Sequence, residues 1–99
     1  MSKAVMLISY KLAKGASASD FLLASEKVQS TFMSKQKGYI SWQVLVDGDT
    51  WADVLTWETM NDAQNAMAAG GADAANQAFF AFLDQESVKM QIFTVEKSY

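Results

Sequence analysis

Neither cysteine nor histidine occurs in this chain of 99 residues. The first absence excludes disulfides, thiolate metal sites and cysteine nucleophiles together. The second removes the commonest general base, the commonest zinc ligand and the axial ligand of a histidine-bound haem. Positive charge is scarce as well, with 8 Lys and Arg against 11 Asp and Glu and a net charge of −3. The cations are scattered. A nucleic-acid partner needs a basic stripe to neutralise phosphates, and an anionic membrane surface asks for the same, so neither partner is expected. The apolar run over residues 4–12 is interrupted by Ser9 and Lys11 and is too short to span a bilayer. It has no basic start and no small-residue cleavage site, so it does not read as a signal peptide; a cytoplasmic location is the expectation.

What is present is material for a core. Apolar residues make up 51% of the chain and aromatic ones 12%, which argues against disorder and for one domain over residues 1–99. Residues 4–12 alternate as a strand, with Met6, Ile8, Tyr10 and Leu12 on one face and Val5, Leu7, Ser9 and Lys11 on the other. Ser17 with Asp20 resembles a capping box, and Phe21, Ala24, Val28 and Phe32 then recur at helical spacing to about Gln36. Gly38 is placed for a left-handed cap. Strands follow over residues 39–47 and 50–57, joined by Asp47-Gly48-Asp49, a hairpin signal. Thr59 with Asp62 opens a second helix that Gly70-Gly71 breaks. A further helical stretch runs from about Ala74 to Asp84, and residues 88–96 form a last strand.

This β-α-β-β-α-β order fits a ferredoxin-like α+β fold, a four-stranded antiparallel sheet whose helices lie on one face. The strands are nonetheless apolar on both sides. A second copy packed sheet to sheet would cover the other face. Alternatively Ser9, Lys11, Ser41, Gln43, Lys89 and Gln91 make that face polar enough to stay wet.

Trp57-Glu58-Thr59 followed by Asp62-Ala63 resembles the W-x-S-x-(E/D)-A element of the dimeric α+β barrel superfamily, which includes the antibiotic-biosynthesis monooxygenase domains. Lys14-Gly15, Lys37-Gly38-Tyr39 and the ending over residues 79–95 are similar to that group too. The resemblance implies a homodimer paired through the sheet. It also implies a cleft between sheet and helices that holds an aromatic substrate, often without metal or flavin. Trp57 matches the tryptophan that lines this cleft at the end of the third strand. The asparagine typical of the first strand falls at or beside Ile8, which cannot hydrogen-bond a substrate, and there is no histidine to ligate haem iron.

Asp53 is the polar residue with most to say. It alternates with Trp51, Leu55 and Trp57, so a period of two sets a carboxylate on an aromatic face. Turned toward the helices it would be poorly solvated, its pKa would rise, and it could act as a base or an anchor. Near the hairpin end or on a bulge it would instead reach water or a neighbouring hydroxyl. Asp53 and Trp57 are the expected catalytic pair, with Tyr10, Trp42, Trp51 and Phe79 as ligand-binding residues. The side on which Trp42 falls depends on a strand register that a one-residue slip reverses. No metal set has recognisable spacing, and no cofactor is expected.

Two functions fit these residues. One is a small-molecule-binding barrel acting as a cofactor-independent monooxygenase-like enzyme on an apolar or aromatic compound. The other is a non-catalytic binding or assembly module of the same fold. A cavity on the helix-facing side of the sheet, with Asp53 in its wall, separates them.

Overall fold

The computed structural model describes residues 2–99. Strand β1 (Ala4–Tyr10) leads into helix α1 (Ala18–Thr31), whose Ser17 hydroxyl accepts from the Asp20 N–H. A short 3-10 turn, Met33–Lys35, precedes β2 (Tyr39–Asp47) and β3 (Thr50–Trp57). The second helical layer is split into α2 (Met60–Gly70), capped by Thr59, and α3 (Ala74–Phe80), capped by Asp73. A 3-10 turn at Gln85–Ser87 then leads to β4 (Lys89–Thr94). The sheet is antiparallel throughout, in the order β2-β3-β1-β4, which is the ferredoxin-like arrangement with the helices on one side.

Several boundaries differ from the sequence pattern for local reasons. Helix α1 stops at Thr31 instead of Gln36. The Ser30 and Thr31 hydroxyls both donate to the Lys27 carbonyl, competing with the helical ladder, and Phe32 leaves helical backbone angles. Helix α3 ends at Phe80, not near Asp84, because residues 81–84 turn back to the chain beyond β1. There the Asp84 N–H donates to the Lys11 carbonyl, and Leu12 bridges Leu83. That bridge is also why β1 ends at Tyr10. Strand β4 is shorter than residues 88–96, although the Val95 N–H still donates to the Lys3 carbonyl. The β2–β3 loop is the two-residue Gly48-Asp49, with Gly48 at φ +63°, where a side chain would be strained.

The two-residue loop fixes the register. Trp42 pairs with Leu55 and Val44 with Asp53. Directly opposed residues share a face, and the helix-facing side therefore carries Met6, Ile8, Tyr10, Trp42, Asp53, Leu55 and Trp57. Most of these are buried; Tyr10 is 1% exposed, Leu55 1% and Trp57 0%. Phe21 and Val28 of α1, Ala63 and Ala66 of α2 and Phe79 of α3 pack onto them. The opposite face carries Val5, Leu7, Val54, Ala52, Leu45 and Phe93 across its middle, with Ser9, Ser41, Gln43, Lys89 and Gln91 among them. Leu7, Leu45 and Phe93 are each exposed.

Candidate functional site

A cavity of about 270 Å³ lies between the sheet and the helices. Its floor is the helix-facing side of the sheet: Met6 and Ile8 from β1, Trp42 from β2, and Asp53, Leu55 and Trp57 from β3. Val28 and Phe32 close one side. The roof comes from the broken second helix, where Ala66 and Met67 are followed by Gly70 and Gly71 and then by Asn76, Phe79 and Phe80. The break follows from Asp73, whose side chain accepts from the Asn76 N–H at 2.9 Å and from its amide at 3.0 Å. A new helix starts there instead of the old one continuing.

Among the described residues, Asp53 is the only ionisable side chain in this wall. It sits on β3, between β1 and β2, opposite Ile8 and Val44, and it is 2% exposed. It is thus out of water, and the neighbouring hydroxyl that the sequence left open as its partner is that of Tyr10. The Tyr10 hydroxyl donates to its Oδ1 at 2.7 Å, while Oδ2 accepts no hydrogen bond of good geometry among the described residues. Burial pushes the Asp53 carboxyl from 3.8 up to about 6, although Tyr10 and the nearby Trp42 indole N–H hold it down. That indole is close enough to influence the carboxylate yet is outside hydrogen-bond geometry, so its buried Nε1 has no partner among the described residues. Desolvation, with the neighbouring Asp53 charge second, raises the Tyr10 hydroxyl well above its usual range and keeps it a proton donor.

The sequence-derived site residues divide into two groups. Asp53, Trp57, Trp42 and Phe79 come together around the cavity. Tyr10 and Trp51 do not line it. Tyr10 stands behind Asp53, held edge-on by Phe21 at 5.8 Å and Phe79 at 6.3 Å. Trp51 shares the helix-facing side but packs on Phe21 at 5.2 Å, farther along β3. Trp57 is wholly buried, its ring edge-on to Tyr39 at 5.7 Å and its indole Nε1 without a partner among the described residues. Met67 and Met90 join the wall as flexible apolar side chains. Asn76 carries little signal in the sequence. It is buried, and its only mark is the Asp73-x-x-Asn76 cap, which announces a helix start and not a cavity.

The arrangement offers an apolar, partly aromatic slot with one carboxylate in its wall. Its chemistry is therefore the acceptance of one hydrogen bond, or one proton, from a molecule in the slot.

No protein-family model matches the sequence, and no curated protein matches it either. Solved structures do. SnoaB, a cofactor-independent oxygenase from Streptomyces nogalater, superposes with a TM-score of 0.80 at 13% identity, covering 99% of this chain and 97% of that one. A Bacillus cereus protein named for the antibiotic biosynthesis monooxygenases gives 0.62 at 14% identity, over 100% and 98%. A Nitrosomonas europaea protein of unknown function gives 0.70 at 18% identity, over 100% and 94%. The chain thus has the fold of the antibiotic-biosynthesis-monooxygenase-like α+β barrels. At these identities the likeness is one of fold.

Proposed function

We propose that the protein binds a small aromatic compound between its sheet and helices and oxygenates it without a cofactor, with Asp53 as the general base. The observation that carries this reading is the carboxylate itself, buried in an aromatic wall with one oxygen free and a pKa of about 6. At neutral pH such a group is mostly ionised and more basic than an ordinary aspartate, which suits proton abstraction. A structural neighbour described as a cofactor-independent oxygenase adds support at the level of fold.

For a hydroxyarene the reaction balances with dioxygen alone. Asp53 takes the O–H proton, and the electron-rich phenolate reduces dioxygen. A C–O bond forms at a ring carbon, the O–O bond breaks, and the O–H and ring C–H hydrogens leave as water. Hydroxyarene plus dioxygen gives quinone plus water, with the substrate as sole reductant. Trp57 and Trp42 hold the ring, and Tyr10 acts through Asp53 without touching the substrate. The test is oxygen uptake with 1-naphthol, with 1,4-naphthoquinone as the expected product and one dioxygen consumed per molecule formed. Asp53→Asn should lower the rate by at least about a hundredfold. Uptake that persists unchanged in that variant would sink the assignment.

We also propose that the protein is a homodimer paired through the open sheet face. Supporting this is the row of Val5, Leu7, Val54, Leu45 and Phe93 across that face, which a second copy would remove from water. Native mass spectrometry at micromolar concentration tests it, and a monomer there would count against it.

A further inference from the structure

The cavity is a charge filter as well as a slot, and this deepens the reading just proposed, on which it rests. No lysine or arginine among the described residues lines it, and the salt bridge from Lys11 to Asp49 lies on the surface with both partners exposed. The Asp53 carboxylate therefore meets the cavity without a compensating cation. A second carboxylate brought beside it would face like-charge repulsion in a poorly solvated space. Tyr10 adds a further restriction. By donating to Oδ1 at 2.7 Å it leaves one carboxylate oxygen for the ligand, which suits a single donor over a forked one. Volume sets the last limit. A cavity of roughly 150 Å³ holds benzene, and about 270 Å³ is less than twice that.

We propose that the site takes a neutral aromatic of one or two rings bearing one hydroxyl, which donates to Asp53 Oδ2, and that it rejects anionic and larger polycyclic analogues. The walls match this class. Trp42, Trp57, Phe79 and Phe80 supply ring faces and edges, while Met67 and Met90 adjust to ring shape.

The experiment compares 1-naphthol, naphthalene, 1-naphthoate and 1-hydroxypyrene at pH 7.5. Binding is followed through the indole N–H resonances of the three tryptophans. Trp42 and Trp57, which line the cavity, should move, and Trp51, which does not, should stay. 1-Naphthol should bind about tenfold or more tightly than naphthalene, the usual gain from a hydrogen bond to a charged acceptor. 1-Naphthoate should bind at least about a hundredfold more weakly than 1-naphthol. 1-Hydroxypyrene should leave the Trp42 and Trp57 resonances in place. In Asp53→Asn the preference for naphthol over naphthalene should shrink to about threefold or less, and naphthoate should gain. Naphthalene or naphthoate binding as well as 1-naphthol would overturn the proposal while leaving an aromatic-binding cavity intact. A wild-type protein that binds none of the two-ring compounds overturns both the proposal and the reading beneath it.

Discussion

The Tyr10 hydroxyl and the Asp53 carboxylate, 43 residues apart in sequence, meet at 2.7 Å in the interior of the domain. β1 and β3 are neighbours, and Tyr10 lies two residues along its strand from Ile8, the cross-strand partner of Asp53. A tyrosine sealed behind aromatic rings thus supports a carboxylate that lines the cavity, while the tyrosine itself does not. The consequences can be measured.

Asp53 sets a pH dependence of stability with a definite sign. Its carboxyl binds its proton more tightly in the folded state, at about 6, than at the 3.8 of an exposed aspartate. Stability from this group is therefore full below about pH 3.8, declines as pH rises, and is lost above about 6. The difference is on the order of 3 kcal/mol. Asp53→Asn cannot ionise, so its stability relative to wild type should improve by that order between pH 4 and pH 7.5. Urea unfolding of both proteins at the two pH values reads this directly. A difference that stays flat with pH would refute it.

Tyr10→Phe removes the donor and keeps the ring. The Asp53 pKa should rise further, since the Tyr10 hydrogen bond holds it down. At pH 7.5 the fold should lose about 1–3 kcal/mol, the cost of leaving a buried charged acceptor short of a partner. Titration of the Asp53 side-chain carboxyl by carbon NMR gives the first quantity and denaturant unfolding the second.

Gly38 is required on two counts. It has φ +80°, and a Cβ there would collide with the Asp62 carboxylate, which is buried at the start of α2. Gly38→Ala should cost about 2 kcal/mol or more. In an Asp62→Gly background, which removes the Asp62 Cβ as well as its carboxylate, the penalty should fall toward the ~1 kcal/mol of the backbone conformation alone. Gly48→Ala is the control. It has a positive φ but open space around it, so only the backbone part should appear.

Ala66 lines the cavity and is 4% exposed. Ala66→Leu adds an isopropyl group's bulk to a space able to take it, so the fold should change in stability by less than about 1.5 kcal/mol. Binding of 1-naphthol should nonetheless be abolished. Parallel thermal melts and the indole resonances separate the two effects.

Leu7→Lys on the open sheet face should convert the proposed dimer to monomer and leave the cavity unaffected, because successive strand residues face opposite ways. Native mass spectrometry and circular dichroism check the two halves of that statement.

Much of the fold and part of the site are legible in the sequence, and the reason differs from residue to residue. Trp51, Asp53, Leu55 and Trp57 share a face by simple alternation, so their grouping follows from spacing alone. Gly48 announces the hairpin because few residues accept its φ. The face of Trp42 is not legible, since it depends on a two-residue loop where a longer one would invert β2. The contact between Tyr10 and Asp53 is equally hidden, because nothing local encodes which strand lies beside which. The site's limits need volume: Trp51 carries the same alternation signal as Trp57, and only packing against Phe21 removes it from the cavity wall. Asn76 has no signal but a helix cap.

The split between floor and roof has a consequence for how such a protein could change. The Asp53 carboxylate, the proposed base, is mounted on an interior strand whose neighbours on both sides lock it into the ladder. Much of the shape of the slot belongs to a helix interrupted at Gly70 and Gly71. Substitutions, insertions or a lengthened turn at that interruption can resize the chamber and re-aim its entrance without disturbing one inter-strand hydrogen bond. Under the proposed function, reactivity and selectivity are inherited on separate layers, and a lineage can explore new ligands while its base stays fixed.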